Sequence, residues 1–249
     1  MGDIHGNYKG LLECLEKSKF NKKEDVLIQL GDVADGWSEV YECVEELLSI
    51  DNLISIKGNH DDWFYDYICS GIHGSNWSQG AKATYLSYLK NCDKQEDPNY
   101  LNDTGLNIPE THQKFFRNQI DYYIDNDNRC FVHGGFNRHL HIKEQNIPYI
   151  YYWDRDLWHT ALSFKAMSKN LPLDKHYAKF KIKDGSSEIF IGHTATINWN
   201  TTEPMQAANI WNIDTGSGFK GKLTIMDVET KEYWQSNFAN QLYPDEIGR

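Results

Sequence analysis

The chain has 249 residues, 40% apolar and 14% aromatic, and its 36 acidic side chains outnumber 25 basic ones for a net charge of −11. That length suits one large domain or two small ones with a sizeable core, and the aromatic content excludes a disordered, collagen-like or coiled-coil chain. The charge argues against a general binder of nucleic-acid backbone, while leaving room for a local basic pocket.

The first sixty residues alternate between turn, helix and strand. After Gly2-Asp3-Ile4-His5-Gly6, the apolar positions Tyr8, Leu11, Leu12 and Leu15 recur at helical spacing. Val26–Leu30 predicts a short buried strand stopped by Gly31-Asp32. Val40, Val44, Leu47 and Leu48 mark a second helix face, and Leu53–Lys57 a second strand stopped by Gly58-Asn59. This is a βαβ rhythm with polar residues just past the strand ends, where open α/β sheets bind ligands. The same rhythm predicts a strand ahead of Gly2, where only Met1 stands: either the start lies too late or that strand has been lost, and without it the first motif would be poorly anchored.

From about Asp61 to Asn128 the composition turns to Tyr, Asn and Asp, with helical patches at 81–89 and 112–120. Strand character returns at Cys130-Phe131-Val132 before His133-Gly134-Gly135, and at Glu188–Ile191 before Gly192-His193-Thr194. It returns again at Ile210–Ile213 and Leu223–Val228. A second irregular segment between Phe136 and Ser187 carries Trp153-Asp154-Arg155-Asp156-Leu157-Trp158. With no repeat or Pro/Ser-rich linker, one domain over residues 1–249 is expected, with insertions at about 62–128 and 137–187.

Five cysteines (Cys14, Cys43, Cys69, Cys92, Cys130) are odd in number and form no CxxC pair, which favours reduced thiols over a disulfide framework or a thiolate zinc site. No apolar run approaches the roughly 18 residues of a spanning helix. No signal-peptide pattern is seen, and Gly6 stands where a myristoylation motif wants Ser or Thr. A cytoplasmic protein without membrane attachment is expected, which leaves the glycosylation matches at Asn76, Asn102 and Asn200 without meaning.

The polar residues after the strands form one set: Asp3 and His5; Asp32 and Asp35; Asn59, His60 and Asp61; His133; His193. Oxygen and imidazole ligands without thiolate suit Mn²⁺, Fe or Zn²⁺ better than Ca²⁺ or a structural zinc. A central carboxylate such as Asp32 can bridge two cations. Two metals about 3.5–4 Å apart lower the pKa of a shared water and neutralise a phosphoryl group under in-line attack. Any one of these motifs alone is more often a simple turn; five in order after strands are not.

The series Gly2-Asp3-Ile4-His5-Gly6, Gly31-Asp32-Val33-Ala34-Asp35, Gly58-Asn59-His60-Asp61, His133-Gly134-Gly135 and Gly192-His193-Thr194 resembles the calcineurin-like metallophosphoesterases. The likeness is greatest to the branch of phosphoprotein phosphatases, bacteriophage-type phosphatases and symmetric dinucleoside tetraphosphatases, and runs from Asp3 to about residue 216. It implies an α/β fold (α+β in some schemes), a two-sheet β-sandwich flanked by helices, with a helical insertion. It implies two divalent metal ions, Mn²⁺ first with Fe or Zn²⁺ as alternatives. Asp3, His5 and Asp32 would hold one; Asp32, Asn59, His133 and His193 would hold the other, with Asp32 bridging. A metal-bridging hydroxide would attack phosphorus while His60, oriented by Asp35, protonates the leaving alkoxide.

The absence of a second histidine after His193 (Thr194-Ala195 follows) fits the phosphatase branch rather than the nucleases. One departure concerns substrate. The branch's Asp-Arg-Gly reads Asp35-Gly36-Trp37 here, so a phosphate-gripping arginine is missing. Arg155 resembles the branch's second such arginine, with Arg138 a less direct candidate and Asn59 a further phosphate contact. The implied activity is hydrolysis of phosphate monoesters, on a phosphoprotein or a small phosphoester. The alternatives are a dinucleoside polyphosphate or nucleotide hydrolase, in which Trp37, Trp63 or Trp77 could line a groove for a base, and a non-catalytic metal-binding scaffold. Lys175, Lys179, Lys181 and Lys183 read as a solvated face, and His73, His112, His139, His141, His159 and His176 are given no metal role.

Overall fold

Val26-Leu27-Ile28-Gln29 and Asn52-Leu53-Ile54-Ser55 pair in parallel, Leu27 opposite Leu53 and Ile28 opposite Ile54, as their branched side chains favour. The computed structural model describes residues 1–75, 77–91, 106–170, 180–183 and 185–249. Cys92, Lys175, His176, Lys179 and the matches at Asn76 and Asn102 lie outside the described residues. In chain order the elements are α1 (Tyr8–Ser18), β1 (Val26–Gln29), α2 (Val40–Leu48), β2 (Asn52–Ser55), α3 (Asn59–Ser70), α4 (Ala81–Lys90), α5 (Glu110–Arg117), β3 (Tyr122–Ile124) and β4 (Arg129–Val132). There follow α6 (Ile150–Trp153), α7 (Asp156–Asn170), β5 (Glu188–Ile191), β6 (Met205–Ala207), β7 (Ile210–Asn212), β8 (Thr224–Met226), β9 (Tyr233–Gln235) and α8 (Ala239–Leu242).

A five-stranded sheet runs in the order β3-β4-β5-β7-β6, parallel through β4, β5 and β7 and antiparallel at both edges. Facing it are two two-stranded ribbons, β1-β2 and β8-β9. The side-chain alternation of strands builds the layers. Phe131 and Phe190 stack at 5.0 Å between the layers and join Leu30, Ile56, Ile213 and Met226 in one cluster. Their neighbours Cys130, Val132, Ile189 and Ile191 point the other way, onto Leu157, Trp158 and Ala161 of α7. On the ribbon side Leu27 packs with Leu11 and Leu15 of α1 and Val44 and Leu47 of α2. The result is the expected β-sandwich flanked by helices.

Three expectations are adjusted. The segment from Phe136 to Ser187 is not wholly irregular: it holds the fifteen-residue helix α7. The patch at 112–120 is helical only as far as Arg117, and Ile120 instead bridges to Ile56. Met1, expected to leave the first motif poorly anchored, supplies one full rung. Its nitrogen donates to Ile28 O (2.7 Å), its carbonyl accepts from Leu30 N (3.0 Å), and Gly2 N donates to Thr224 O (3.0 Å). That rung is where the two ribbons meet. Beside it a groove of about 440 Å³ runs between Val26–Ile28 and Met226–Val228, floored by Phe131 and Phe190.

Candidate metal centre

The motif residues converge at the ends of β1, β2, β4 and β5. Asp3, His5 and Asp32 place ligand atoms within 4.8 Å of one another, and so do Asp32, His133 and His193. All five are buried, and Asp32 belongs to both groups. Its Oδ2 lies 3.5 Å from His5 Nε2 and 3.3 Å from His133 Nε2. Asn59, at the start of α3, brings Oδ1 to 3.3 Å from His133 Nε2.

Backbone geometry aims these groups. His5, Asp32, Asp35 and His193 all hold left-handed φ values, from 53° to 68°. Each such residue is strained by roughly 1–2 kcal/mol, and strain of this kind collects at functional sites. Glycines admit the carboxylates: a Cβ on Gly58 would lie 2.1 Å from Asp32 Oδ1, and one on Gly192 2.0 Å from Asp3 Oδ1. Local bonds then fix the rings. His5 Nδ1 donates to Ala34 O (3.0 Å) and His133 Nδ1 to Leu30 O (2.7 Å), which leaves each Nε2 lone pair facing the cluster. Asp3 Oδ2 accepts from His193 N (3.0 Å) and Asp32 Oδ1 from His60 N (3.0 Å).

The fit to metal ions is tested by what remains unpaired. Asp3 Oδ1, Asp32 Oδ2 and both ring nitrogens of His193 are buried and make no hydrogen bond. Orphaned acceptors of this kind are costly unless a cation completes them. Electrostatics agree. Burial presses His133 down, but Asp32 and Asp3 outweigh it and draw its pKa up to about 9, so this corner of the site calls for positive charge. Burial, with Asp214 adding repulsion, raises Asp3 well above the usual carboxylate range. Burial, aided by His133 and Arg155, holds His193 well below the ordinary imidazole value and so neutral, as a ligand must be.

His60 is fully buried, with Nδ1 2.6 Å from Asp35 Oδ2 and Nε2 unpartnered. Two donors that sequence reading did not connect with the pair hold Asp35: Thr84 Oγ1 (2.7 Å) and Trp77 Nε1 (2.9 Å to each oxygen). Trp77 therefore serves the dyad rather than an open groove, and Trp37 is buried, its indole N–H donating to Ser217 O. Trp63 does line the site, edge-on to His60 at 4.9 Å and 5.3 Å from Trp153, which in turn lies 5.9 Å from His193. Asp61 is a brace: it accepts from the amides of Val33, Ala34 and Gly58 and from Gln119 Nε2.

Arg155 reaches the centre, donating from Nη1 to His193 O (3.3 Å) and Thr194 Oγ1 (3.0 Å). Arg138 stands elsewhere, its guanidinium 5.3 Å from the Phe180 ring and donating to Lys181 O; among the described residues none of its contacts is with the cluster. Lys183 is exposed and pairs with Glu144. Of the other histidines, His112 is a buried bridge between Tyr88 and Glu45. Two charged residues beside the cluster have no counterpart among the motifs of the sequence. Asp214 is buried near Asp3, with burial raising its pKa to about 6; the signal was there, a strand ending in Asp214-Thr215-Gly216. Arg249 sits 3.2 Å from His5 Nε2 and 4.0 Å from Asp32 Oδ2 through Nη1, a placement no local pattern reveals.

Comparison with known proteins gives a consistent picture. The family model for calcineurin-like phosphoesterases matches residues 1–197. A symmetrical bis(5'-nucleosyl)-tetraphosphatase from Pseudomonas fluorescens is 22% identical over 97% of this chain and 95% of its own length. Serine/threonine-protein phosphatase 1 from Salmonella typhimurium is 28% identical, but over only 31% of this chain and 38% of that protein. Among solved structures, one described as a proposed diadenosine tetraphosphatase superposes with a TM-score of 0.61, at 13% identity, covering 95% of this chain and 91% of the other. A cold-active protein tyrosine phosphatase gives 0.53 at 16% identity, covering 94% of this chain and 77% of the other. The chain belongs to the calcineurin-like phosphoesterases, and is accordingly a metal-dependent hydrolase.

Proposed function

We propose that this calcineurin-like phosphoesterase hydrolyses phosphate monoesters, with His60 as the general acid and Asp35 as the residue that orients it. The observation that carries this reading is the buried pair of His60 and Asp35, with Nε2 of His60 unpartnered and its backbone amide donating to Asp32, the carboxylate shared by both ligand groups. Alkoxide is a poor leaving group and needs a proton as the ester bond breaks; a phosphoanhydride leaves as a stable phosphate and needs one far less. A fully buried imidazole whose partner Asp35 also accepts from Thr84 and Trp77 is an arrangement suited to the harder case.

Asp3, His5 and Asp32 would hold one divalent cation and Asp32, Asn59, His133 and His193 the other, with Mn²⁺ the first candidate and Fe or Zn²⁺ next. When bound, such a pair supplies an activated water and neutralises phosphoryl charge. His60 delivers its proton from Nε2 to the departing oxygen, while Asp35, Thr84 and Trp77 hold the ring and balance its charge. Arg155 grips phosphoryl oxygen, helped by Asn59; Arg138 has no part. Burial of the ligands keeps bulk water from competing. A phosphorylated protein or a small phosphoester is the proposed substrate, and a cytoplasmic setting accords with cysteines 14, 43, 69 and 130 not being joined in disulfides. Among the described residues no helix is long and apolar enough to cross a membrane.

A second reading, hydrolysis of dinucleoside polyphosphates, is favoured by one feature: the aromatic wall of Trp63 and Trp153 between His60 and His193, on which a base could stack. The full-length likeness to a symmetrical tetraphosphatase points the same way. The test is hydrolysis by metal-stripped protein refilled with Mn²⁺, Zn²⁺, Fe²⁺ or Mg²⁺, against an aryl phosphate, phosphoserine and phosphotyrosine peptides and diadenosine tetraphosphate. Metal-dependent monoester turnover that His60→Asn loses supports the first reading. Anhydride cleavage alone, little affected by that substitution, replaces it with the second.

A further inference from the structure

Two guanidinium groups approach the ligand cluster from different sides. Arg155 comes from the segment between α6 and α7, over His193 and Thr194. Arg249 comes from the far end of the chain, over His5 and Asp32. Their hydrogen bonds thus bring two cations to one cluster, Arg155 at His193 and Arg249 at His5. Asp32 offsets part of that charge, and an anion bound between the two guanidinium groups would offset more.

The arm that carries Arg249 is fixed rather than loose. Tyr243 stacks on Trp37 at 5.1 Å, Glu246 accepts from Ser38 N (3.0 Å) and Ser38 Oγ (2.6 Å), and Arg249 N donates to Gly218 O (2.8 Å). The guanidinium lies over Phe219 at 5.2 Å, and Nη2 donates to Gln79 (3.3 Å). Only 11% of the side chain is exposed, and Nε is buried with no partner. The His5 lone pair that Nη1 now meets is one a metal ion would take, so in the loaded site this cation must turn to another acceptor. Meanwhile Gly36, where the sequence lacks an expected arginine, has no space for a side chain: a Cβ there would lie 2.8 Å from His5 O.

We propose that Arg249 is a substrate-phosphate clamp, acting opposite Arg155 on the same phosphoryl group and taking over from position 36 a contact that the local backbone cannot supply. The inference rests on the reading that this centre receives a phosphoryl group. It requires no particular leaving group. A guanidinium offers a planar fork to phosphoryl oxygens, and the unpaired Nε leaves that edge of the fork available. The alternative is a plug: the arginine neutralises the carboxylates in the metal-free site and must leave for substrate to enter.

The test uses full-length protein loaded with Mn²⁺, titrated calorimetrically with inorganic phosphate, alongside Arg249→Ala, Arg249→Lys and Arg155→Ala. Metal content is measured for each, and steady-state kinetics are run on an aryl phosphate. A clamp predicts that Arg249→Ala weakens phosphate binding ~10- to 100-fold and raises KM more than it lowers kcat, with two metals still bound. Lysine should restore part of the affinity, and Arg155→Ala should show a loss of the same kind. Unchanged phosphate affinity in Arg249→Ala overturns the proposal, as does a rise in kcat/KM or in metal affinity, which would identify a plug. A wild-type protein that binds no phosphate overturns it as well. One that binds phosphate through Arg249 but turns over no monoester leaves the clamp standing and removes only the proposed substrate class.

Discussion

The two halves of the candidate metal centre are supported very differently. His133 and His193 leave the ends of β4 and β5, adjacent parallel strands at the middle of a five-stranded sheet. Asp3 and His5 follow a single rung of pairing at Met1, between two ribbons of two strands each. The first half is positioned by sheet, the second by turns: three of its bonds run from Ile4 N and His5 N to Asp32 O and from Gly6 N to Val33 O. A ligand group can thus be placed as well by a web of backbone bonds as by a strand, but with less cooperative support. Asp32 joins the halves, and changes there should be the least tolerated.

The largest effect is therefore expected from Asp32→Asn. Loss of the shared carboxylate should empty both halves and lower turnover by at least ~10³-fold, checked by elemental analysis and kcat. His133→Asn and His5→Asn should each remove about one metal per chain. If Asp32→Asn costs no more metal than either, the centre is two independent sites rather than one joined at Asp32.

Next is a pH effect confined to the sheet-borne half. The pKa of His133 is raised from 6.5 to about 9, so the stability it contributes is fully present below pH 6.5 and is lost as pH rises through 9. Metal-free wild type should lose on the order of 2–3 kcal/mol more than His133→Asn across that window, followed by denaturant melts. Mn²⁺ must displace the same proton, so its affinity should climb about tenfold per pH unit below pH 9. Parallel profiles for the two proteins would mean that His133 is not the group responsible.

A smaller effect should come from the shell behind His60. Trp77→Phe deletes the indole donor to Asp35 and should cost ~10-fold in kcat with metal content unchanged. An aryl phosphate with an acidic phenol should be spared relative to an alkyl phosphate, since it needs less proton donation. Equal losses on both substrates would instead indicate a packing defect.

The convergence of Asp32, Asn59, His133 and His193 was legible in the sequence because each follows a strand whose apolar run is local, whereas Asp3 and His5, with no such run before them, were legible only from their glycine-flanked motif. His60 and Asp35 were legible as well, being parts of glycine-flanked motifs. Thr84 and Trp77 were not: they reach Asp35 across 49 and 42 residues, from a helix and a loop whose local pattern says nothing of a carboxylate. Arg249 lies 244 residues from His5, and no period or spacing connects them. Helix α7 was missed although Leu157, Trp158, Ala161 and Leu162 stand at helical spacing, because apolar residues beyond them, such as the exposed Met167, blur the pattern. Strands β3, β6 and β9 are three residues each, too short for alternation to register.

The smallest effect tests the turn-borne half directly. Four β-branched residues added ahead of Met1 could extend its rung alongside Val26–Ile28, fill the neighbouring groove and join the ribbons into one sheet. Such an extension should raise the melting temperature of the metal-free protein by roughly 2–4 °C for each kcal/mol gained, relative to a Gly-Ser extension of equal length. Equal melting temperatures would show that the turns already supply all the support the first motif can use.

The hydrogen bond from His193 N to Asp3 Oδ2 spans 190 residues, and the one from Gly2 to Thr224 spans still more of the chain. On a ribosome, His5 meets its partners Asp32 and Ala34 early, but Asp3 must wait 190 residues for the amide that holds its carboxylate. Helices α1 and α2 can form early, but the centre closes only when β5 and β8 arrive. Long-range closure of this kind is slow, and until it occurs the carboxylates have no scaffold to hold them. The candidate metal centre is consequently assembled late: a nascent chain arrested before Glu188 carries Asp3, His5, Asp32, Asn59 and His133 without His193 or the strand that delivers it.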